Sequence, residues 1–176
     1  MDYKKFREIF RGLDRAYGVY YKGETKENGK LSGKAYIKKE PLEEIYYKYH
    51  LEGQDPSLGV VPIMDDSNCF WGCCDIDKYP LDFKAIIKKL KLKKIPMSVC
   101  RSKSGGAHLF LFTKQAVSAT IMRNKLYEIA AYLGYADCEI FPKQTEIKAD
   151  RGDTGNFLNL PYHGGDESMR YAMNDE

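Results

Sequence analysis

Two short stretches of the chain carry residue types that can do chemistry together. The first is Asp75-Ile76-Asp77, a pair of acids closing the apolar run that begins at Phe70. Asp65-Asp66-Ser67-Asn68 before the run and Tyr79-Pro80 after it are breakers, so the run reads as a mostly buried strand. Alternate strand residues share a face, which places the Asp75 and Asp77 carboxylates on one side with Cα atoms about 6.5–7 Å apart. Carboxylates so placed can converge on one or two hard divalent cations. The plainer reading is that the strand simply ends and both acids are solvated.

The second stretch is Arg101-Ser102-Lys103-Ser104-Gly105-Gly106, followed by Ala107, His108 and the apolar Leu109–Phe112. Ser102 to Gly106 can form a concave nest of backbone N–H groups with hydroxyls and a lysine beside it, which suits a phosphate. The paired glycines allow close approach or positive φ. His108 stands one residue into the next strand and shares a face with Phe110 and Phe112. Alone, such a histidine or glycine turn is more often structural. Acids, phosphate-type loop and histidine at successive strand ends make a stronger combination.

The elements that must position these groups follow from periodicity. Asp2–Arg11 has helical spacing in Tyr3, Phe6, Ile9 and Phe10, with Gly12 as its stop. Tyr17–Tyr21 reads as a strand, Lys22–Lys34 as a polar, glycine-containing loop, and Tyr36-Ile37 as a short extended piece. A helix is expected to start at Glu40-Pro41, with Leu42, Ile45, Tyr46 and Tyr49 as its buried stripe. Leu58–Met64 reads as a strand that Pro62 moves toward a sheet edge. Leu81–Leu92 is an amphipathic helix with lysines on its outer face. Met97–Arg101 and Ala107–Phe112 are strands. Ser118 caps a helix that runs to Leu133 and stops at Gly134, with Ile121, Leu126, Ile129, Ala130 and Leu133 on its apolar side. Asp137–Phe141 is a short strand, Pro142–Gly155 a mobile loop, Phe157–Leu160 a last strand, and 166–176 a polar, frayed tail.

With these elements in place, four segments in this order resemble the archaeo-eukaryotic primase superfamily. They are Asp75-Ile76-Asp77, Ser104-Gly105-Gly106-Ala107-His108, Glu139-Ile140-Phe141-Pro142-Lys143-Gln144 and Gly155-Asn156-Phe157-Leu158-Asn159-Leu160-Pro161. Phe6-Arg7-Glu8-Ile9-Phe10-Arg11-Gly12 and Gly59-Val60-Val61-Pro62 resemble the primase-polymerase branch found in conflict systems and beside CRISPR genes. The resemblance covers residues 6–165. It implies an α+β fold, an RRM-like palm sheet with helices, and a smaller N-terminal α/β module over 1–65 with a cleft between. The catalytic module would span 66–165 of a single domain.

The implied activity is template-directed nucleotidyl transfer, as a DNA primase and DNA polymerase on single-stranded DNA with NTPs or dNTPs. Its cofactors would be two Mg²⁺ or Mn²⁺ ions on Asp75, Asp77 and Glu139. Asp137 lies on the same strand and face as Glu139, so alternation cannot choose between them; the Phe-Pro-Lys that follows Glu139 favours it by resemblance. Ser104, the backbone of Gly105 and Gly106, and His108 would hold the triphosphate, with Ser102 in the same loop. Arg101, Lys103 and Lys143 are charge partners. Asn156 or Asn159, and Tyr162 or His163, would line sugar and base. Fused or neighbouring CRISPR or conflict-system proteins are the implied partners.

Composition sets outer bounds. A chain of 176 residues suits one domain with a sizeable core, and a net charge of +3 is compatible with nucleic acid without requiring it. No apolar run approaches a membrane span and no signal peptide is evident, so a cytoplasmic protein without a membrane partner is expected. The five cysteines sit mainly in apolar runs and read as small buried hydrophobes in a reducing compartment; zinc is the sharper alternative, but no C-x2-C pair occurs. Two rival functions remain. Asp77 with Glu146-Ile147-Lys148 mimics a metal-dependent nuclease. Gly106–Phe112 weakly echoes an aromatic RNA-binding strand, although paired acids repel phosphate unless a metal intervenes.

Overall fold

The computed structural model describes residues 1–25 and 31–173. In chain order the elements are α1 (Tyr3–Ile9), β1 (Tyr17–Thr25), β2 (Leu31–Lys38), α2 (Glu44–Leu51), β3 (Ser57–Val60), β4 (Asn68–Ile76), α3 (Phe83–Leu92), β5 (Met97–Arg101), β6 (Ala107–Ser118), α4 (Ala119–Leu133), β7 (Glu139–Phe141) and β8 (Leu158–Asn159). The strands form two four-stranded antiparallel sheets, ordered β2-β1-β3-β8 and β5-β6-β4-β7. The protein is therefore α+β.

The second sheet has the expected strand–helix–strand–strand–helix–strand order, with both helices on one face. Ile86, Ile87 and Leu90 of α3 and Met122, Leu126, Ile129 and Leu133 of α4 bury against Cys74, Ile76, Val99, Leu109 and Ile140. Asp82 caps α3 through Ala85 N, and Ser118 caps α4 through Ile121 N. The opposite face carries Trp71, Cys73, Phe110 and Phe141, which meet α1, α2 and the first sheet. Phe10 is central there. Its ring lies 5.2 Å from Phe110, 5.5 Å from Phe112 and 5.7 Å from Trp71.

Several elements depart from the sequence reading. The 22–34 segment is not a loop across its described part, because β1 extends to Thr25 and β2 begins at Leu31, paired as a hairpin; 26–30 lie outside the described residues. Helix α1 ends at Ile9 with Phe10 as its cap, before Gly12. Helix α2 starts at Glu44 rather than Pro41, and its buried residues are Tyr47, His50 and Leu51, with Leu42 buried outside the helix. Strand β3 stops at Val60, so Pro62 lies beyond it, and β3 is an inner strand between β1 and β8. Ile121 is 62% exposed; Ala119 and Met122 take its place in the core.

The two segments expected to be loose are tied down. Ile147 is buried with Leu13, Val61 and Ile63, and its N–H donates to Ser67 Oγ at 3.0 Å. Over its described residues the C-terminal segment runs along β5, with Arg101 N–H donating to Tyr171 O at 3.1 Å and Met173 N–H to Val99 O at 2.8 Å; 174–176 lie outside the described residues. Polar composition misleads at the C-terminal segment, because its pairing with β5 is made between backbone groups. Strand β8 returns to the first sheet, joining β3 by way of Gly59 and Val60.

His50 locks α2 to that return. Its Nδ1 accepts from Leu58 N at 2.9 Å and its Nε2–H donates to Pro161 O at 2.8 Å. The side chain is buried, and burial lowers its pKa to about 3. Because the folded value lies below the unfolded one of about 6.5, His50 contributes stability in full above pH 6.5. That contribution is lost as pH falls toward 3. Replacing His50 by Leu leaves two buried backbone groups unpaired and is expected to cost on the order of 2–4 kcal/mol in urea denaturation at pH 7. The variant should also lose stability less steeply than wild type between pH 6.5 and 4; equal slopes would contradict the role assigned to His50.

Candidate active site

The site starts from strand register. Asp75 pairs directly with His108 of β6 on one side and with Glu139 of β7 on the other. Directly opposed residues share a face, so the three side chains form one row across the sheet, with Cys100 of β5 beyond His108. This row lies at the strand end, past the aromatic packing of Trp71, Phe110 and Phe141.

Asp75 is the most constrained member. Its Oδ1 is buried and has no hydrogen-bond partner. His108 Nε2 lies 3.4 Å away, close enough for attraction but without hydrogen-bond geometry. A carboxylate oxygen kept from water and left unbonded is costly unless a cation arrives. Asp77 lies one residue past the strand and accepts from Tyr79 OH at 3.1 Å and from Ser104 Oγ at 3.3 Å. Glu139 is exposed and pairs with Lys143 Nζ at 2.8 Å. Asp137 is also exposed and points elsewhere, to Lys78 Nζ at 2.9 Å, which holds its carboxyl below the usual range.

Among the described residues, no three histidine, cysteine, aspartate or glutamate side chains already converge as a metal cage. The hydrogen bonds just given explain this: Asp77 is drawn toward the loop and Glu139 toward Lys143. The donor set nonetheless fits a hard divalent cation, since it is carboxylate-based and contains a buried, unsatisfied oxygen.

The β5–β6 turn lies directly against the acids. A Cβ on Gly106 would sit 2.2 Å from Ile76 O and 3.2 Å from Asp77 Oδ1, so only glycine lets the turn come this close. Gly105 has φ of +92°. Ser102 is buried and its Oγ is 3.4 Å from Ser104 Oγ. Two of the expected nest donors are used by the turn itself: Ser102 N–H donates to Gly106 O, and Gly105 N–H to Ser102 O.

From this turn a groove of about 530 Å³ opens toward the first sheet. Arg101, Lys103 and Ser104 line it together with Tyr20, Lys22 and His163. Lys103 Nζ lies 3.4 Å above the Tyr20 ring. His163 donates from Nε2 to Gln54 O at 3.1 Å, and burial lowers its pKa. Asn156 is engaged by Gln144, whereas Asn159 Oδ1 is buried with no partner. Tyr162 is turned away from this groove; its hydroxyl accepts from Ala172 N at 2.9 Å, and it lines an apolar pocket with Phe6 and Phe110. Arg170, at the edge of the groove, has no sequence signal of its own and enters through the path of the C-terminal segment.

The rival readings meet obstacles. Phe110 of the supposed RNA-binding strand is fully buried beneath Phe10 and Trp71, so it cannot stack a base. Glu146 and Lys148 flank Ile147, which is anchored in a cluster other than those packed on β4. No helix among the described residues is long and apolar enough to cross a membrane. Cys69, Cys73, Cys74 and Cys100 are buried and Cys138 is half-buried, all as free thiols.

Comparison with curated proteins finds none that matches. The family model for the archaeo-eukaryotic primase domain of TOTE conflict systems matches residues 14–173. That span contains both sheets, the row through Asp75 and the groove, and the chain belongs to this family of archaeo-eukaryotic primase domains.

Proposed function

We propose that the chain is a primase-polymerase catalytic domain that joins NTPs or dNTPs on a single-stranded DNA template. The observation that carries this reading is the buried, unpartnered Asp75 Oδ1, set in register between His108 and Glu139 and beside the Ser104 turn. In this reading residues 1–176 form one domain, and the β5-β6-β4-β7 sheet within 66–165 is its RRM-like palm. The groove lined by Tyr20 and Lys103 is the cleft between palm and N-terminal module. The conflict-system family favours neighbouring or fused proteins of such systems as partners.

Asp75, Asp77 and Glu139 would hold two divalent ions, Mg²⁺ or Mn²⁺, which when bound acidify the attacking 3′-hydroxyl and offset triphosphate charge. The protein groups do the positioning. Asp75 is fixed by pairing on both sides. Lys143 pairs with Glu139 and would be a charge partner for the nucleotide. Ser104, with His108 behind it, orients the triphosphate, and Arg101 and Lys103 attract it along the groove. His163, which lines the groove, would border sugar or base and Asn159 would join it, whereas Tyr162 faces away.

Asp75→Asn is expected to reduce primer extension by roughly 100-fold or more, since several kcal/mol of charge stabilisation depend on this ligand. The same change removes a buried charge and should leave the melting temperature unchanged or higher. Gel-resolved extension and thermal unfolding test both; wild-type extension by the variant would sink the assignment.

His108→Ala is expected to weaken binding of a non-hydrolysable nucleotide by about tenfold, with little change in DNA affinity. Parallel titrations of nucleotide and DNA check this, and equal nucleotide affinity would remove His108 from the site. Affinity for single-stranded DNA should fall steeply with added salt, since phosphate contacts release counterions. Salt-insensitive binding would instead point to base stacking.

A further inference from the structure

The C-terminal segment holds Arg170 in an unusual state. Its backbone is fixed on both sides. Arg170 N–H donates to Ser168 Oγ at 3.1 Å, and Arg170 O accepts from Tyr162 N at 2.8 Å. The next residues continue along β5, with Tyr171 O accepting from Arg101 N and Ala172 bridged to Cys100. The side chain is the opposite. Its Nη1 is buried and has no hydrogen-bond partner. A guanidinium presents five donors in a planar fork suited to oxyanions, and leaving its buried Nη1 unpaired is costly.

Its surroundings favour an anion. Lys22, Arg101 and Lys103 line the same groove, and Asp55 is the carboxylate among the lining residues. Asp55 already has His163 Nε2 at 4.0 Å. Burial lowers the Arg170 pKa, while Asp55 and Tyr20 act the other way. The groove is continuous with Ser104, which touches Asp77. A chain of phosphates beginning at the acids and passing Ser104 would therefore run toward Arg170.

We propose that Arg170, carried into the groove by the C-terminal segment paired with β5, is a phosphate-binding residue for the polyphosphate tail of the incoming nucleotide. This rests on the nucleotide reading of the same site. It makes the segment from Ser168 to Met173 part of the binding site. The alternative is a purely structural arginine, offset at a distance by Asp55.

Arg170→Met separates the two, because it keeps length and apolar packing while removing the donors. The full chain and the variant are titrated by calorimetry with inorganic tripolyphosphate and with a non-hydrolysable nucleoside triphosphate, both in Mg²⁺, and melted without ligand. The expected result is about a tenfold loss of tripolyphosphate affinity, with an unchanged or raised melting temperature. Arg170→Lys, which keeps the charge but not the fork, should fall between the two and serves if the Met variant fails to fold. Equal tripolyphosphate affinity in wild type and variants, or no tripolyphosphate binding by wild type, overturns the inference. If nucleotide binds equally to wild type and variants, Arg170 is excluded while the nucleotide reading stands. If tripolyphosphate binding depends on Arg170 but no nucleotide binds, the nucleotide reading fails while Arg170 remains an anion site.

Discussion

The register of β4 against its two neighbours is the constraint on which the site depends. Asp75 is opposite His108 and Glu139 only in this register. A shift by one residue would send Asp75 to the helix-covered face, where Cys74, Ile76 and Leu109 now lie. Two features pin the register. Trp71 pairs with Phe112, and Cys73 with both Phe110 and Phe141, which places the bulky side chains under Phe10. At the other end, Gly106 fits against Ile76 O with no room for a Cβ. Packing holds one end of the strand and a backbone contact the other, so Asp75 sits between two fixed points and Asp77 follows directly after the second.

The first sheet matters to the site through its late strand. β8 joins β3, and His50 ties α2 to both Leu58 and Pro161. The chain beyond Pro161 is then directed back to β5, where Tyr171 and Met173 hydrogen-bond. The β5–β6 turn is thus held by β4 beneath it and by the C-terminal segment alongside. A neutral histidine suits this junction because one ring nitrogen donates while the other accepts; no aliphatic residue satisfies both backbone groups.

Much of this was legible from sequence where local rules decide. Ser118 caps α4 and Gly134 ends it as their types suggest, and the apolar run from Phe70 lies in β4, with Asp75 inside the strand and Asp77 just past its end. The misreadings have physical causes. A 22–34 stretch rich in lysine and glycine forms a hairpin over its described residues, with β2 at the sheet edge, where polar side chains are tolerated. The stripe expected for α2 follows apolar residue type, whereas the buried face takes in His50, whose ring nitrogens bond Leu58 N and Pro161 O, a pairing that residue type does not reveal. The pairing of 171–173 with β5 uses backbone groups, which leave no trace in residue type. Arg170 was invisible for the same reason.

The direction of β7 bears on the third acid. In an antiparallel strand the earlier residues lie closer to the end of β4 that carries Asp77, which by itself favours Asp137. Pairing, however, begins only at Glu139, directly opposite Asp75. Asp137 lies before the strand, and its carboxylate is bonded to Lys78. The parity argument assumes a strand that continues to Asp137, and the strand does not reach it. What distinguishes the two acids is therefore where the ladder starts. Each acid has a lysine as its counter-charge, but Glu139 lies in the ladder opposite Asp75 while Asp137 lies in the preceding turn. In our reading this assigns Glu139 to the ions and Asp137 to the surface, on the same physical ground that makes Asp75 the anchor: a carboxylate is useful to a metal when the backbone beneath it cannot move.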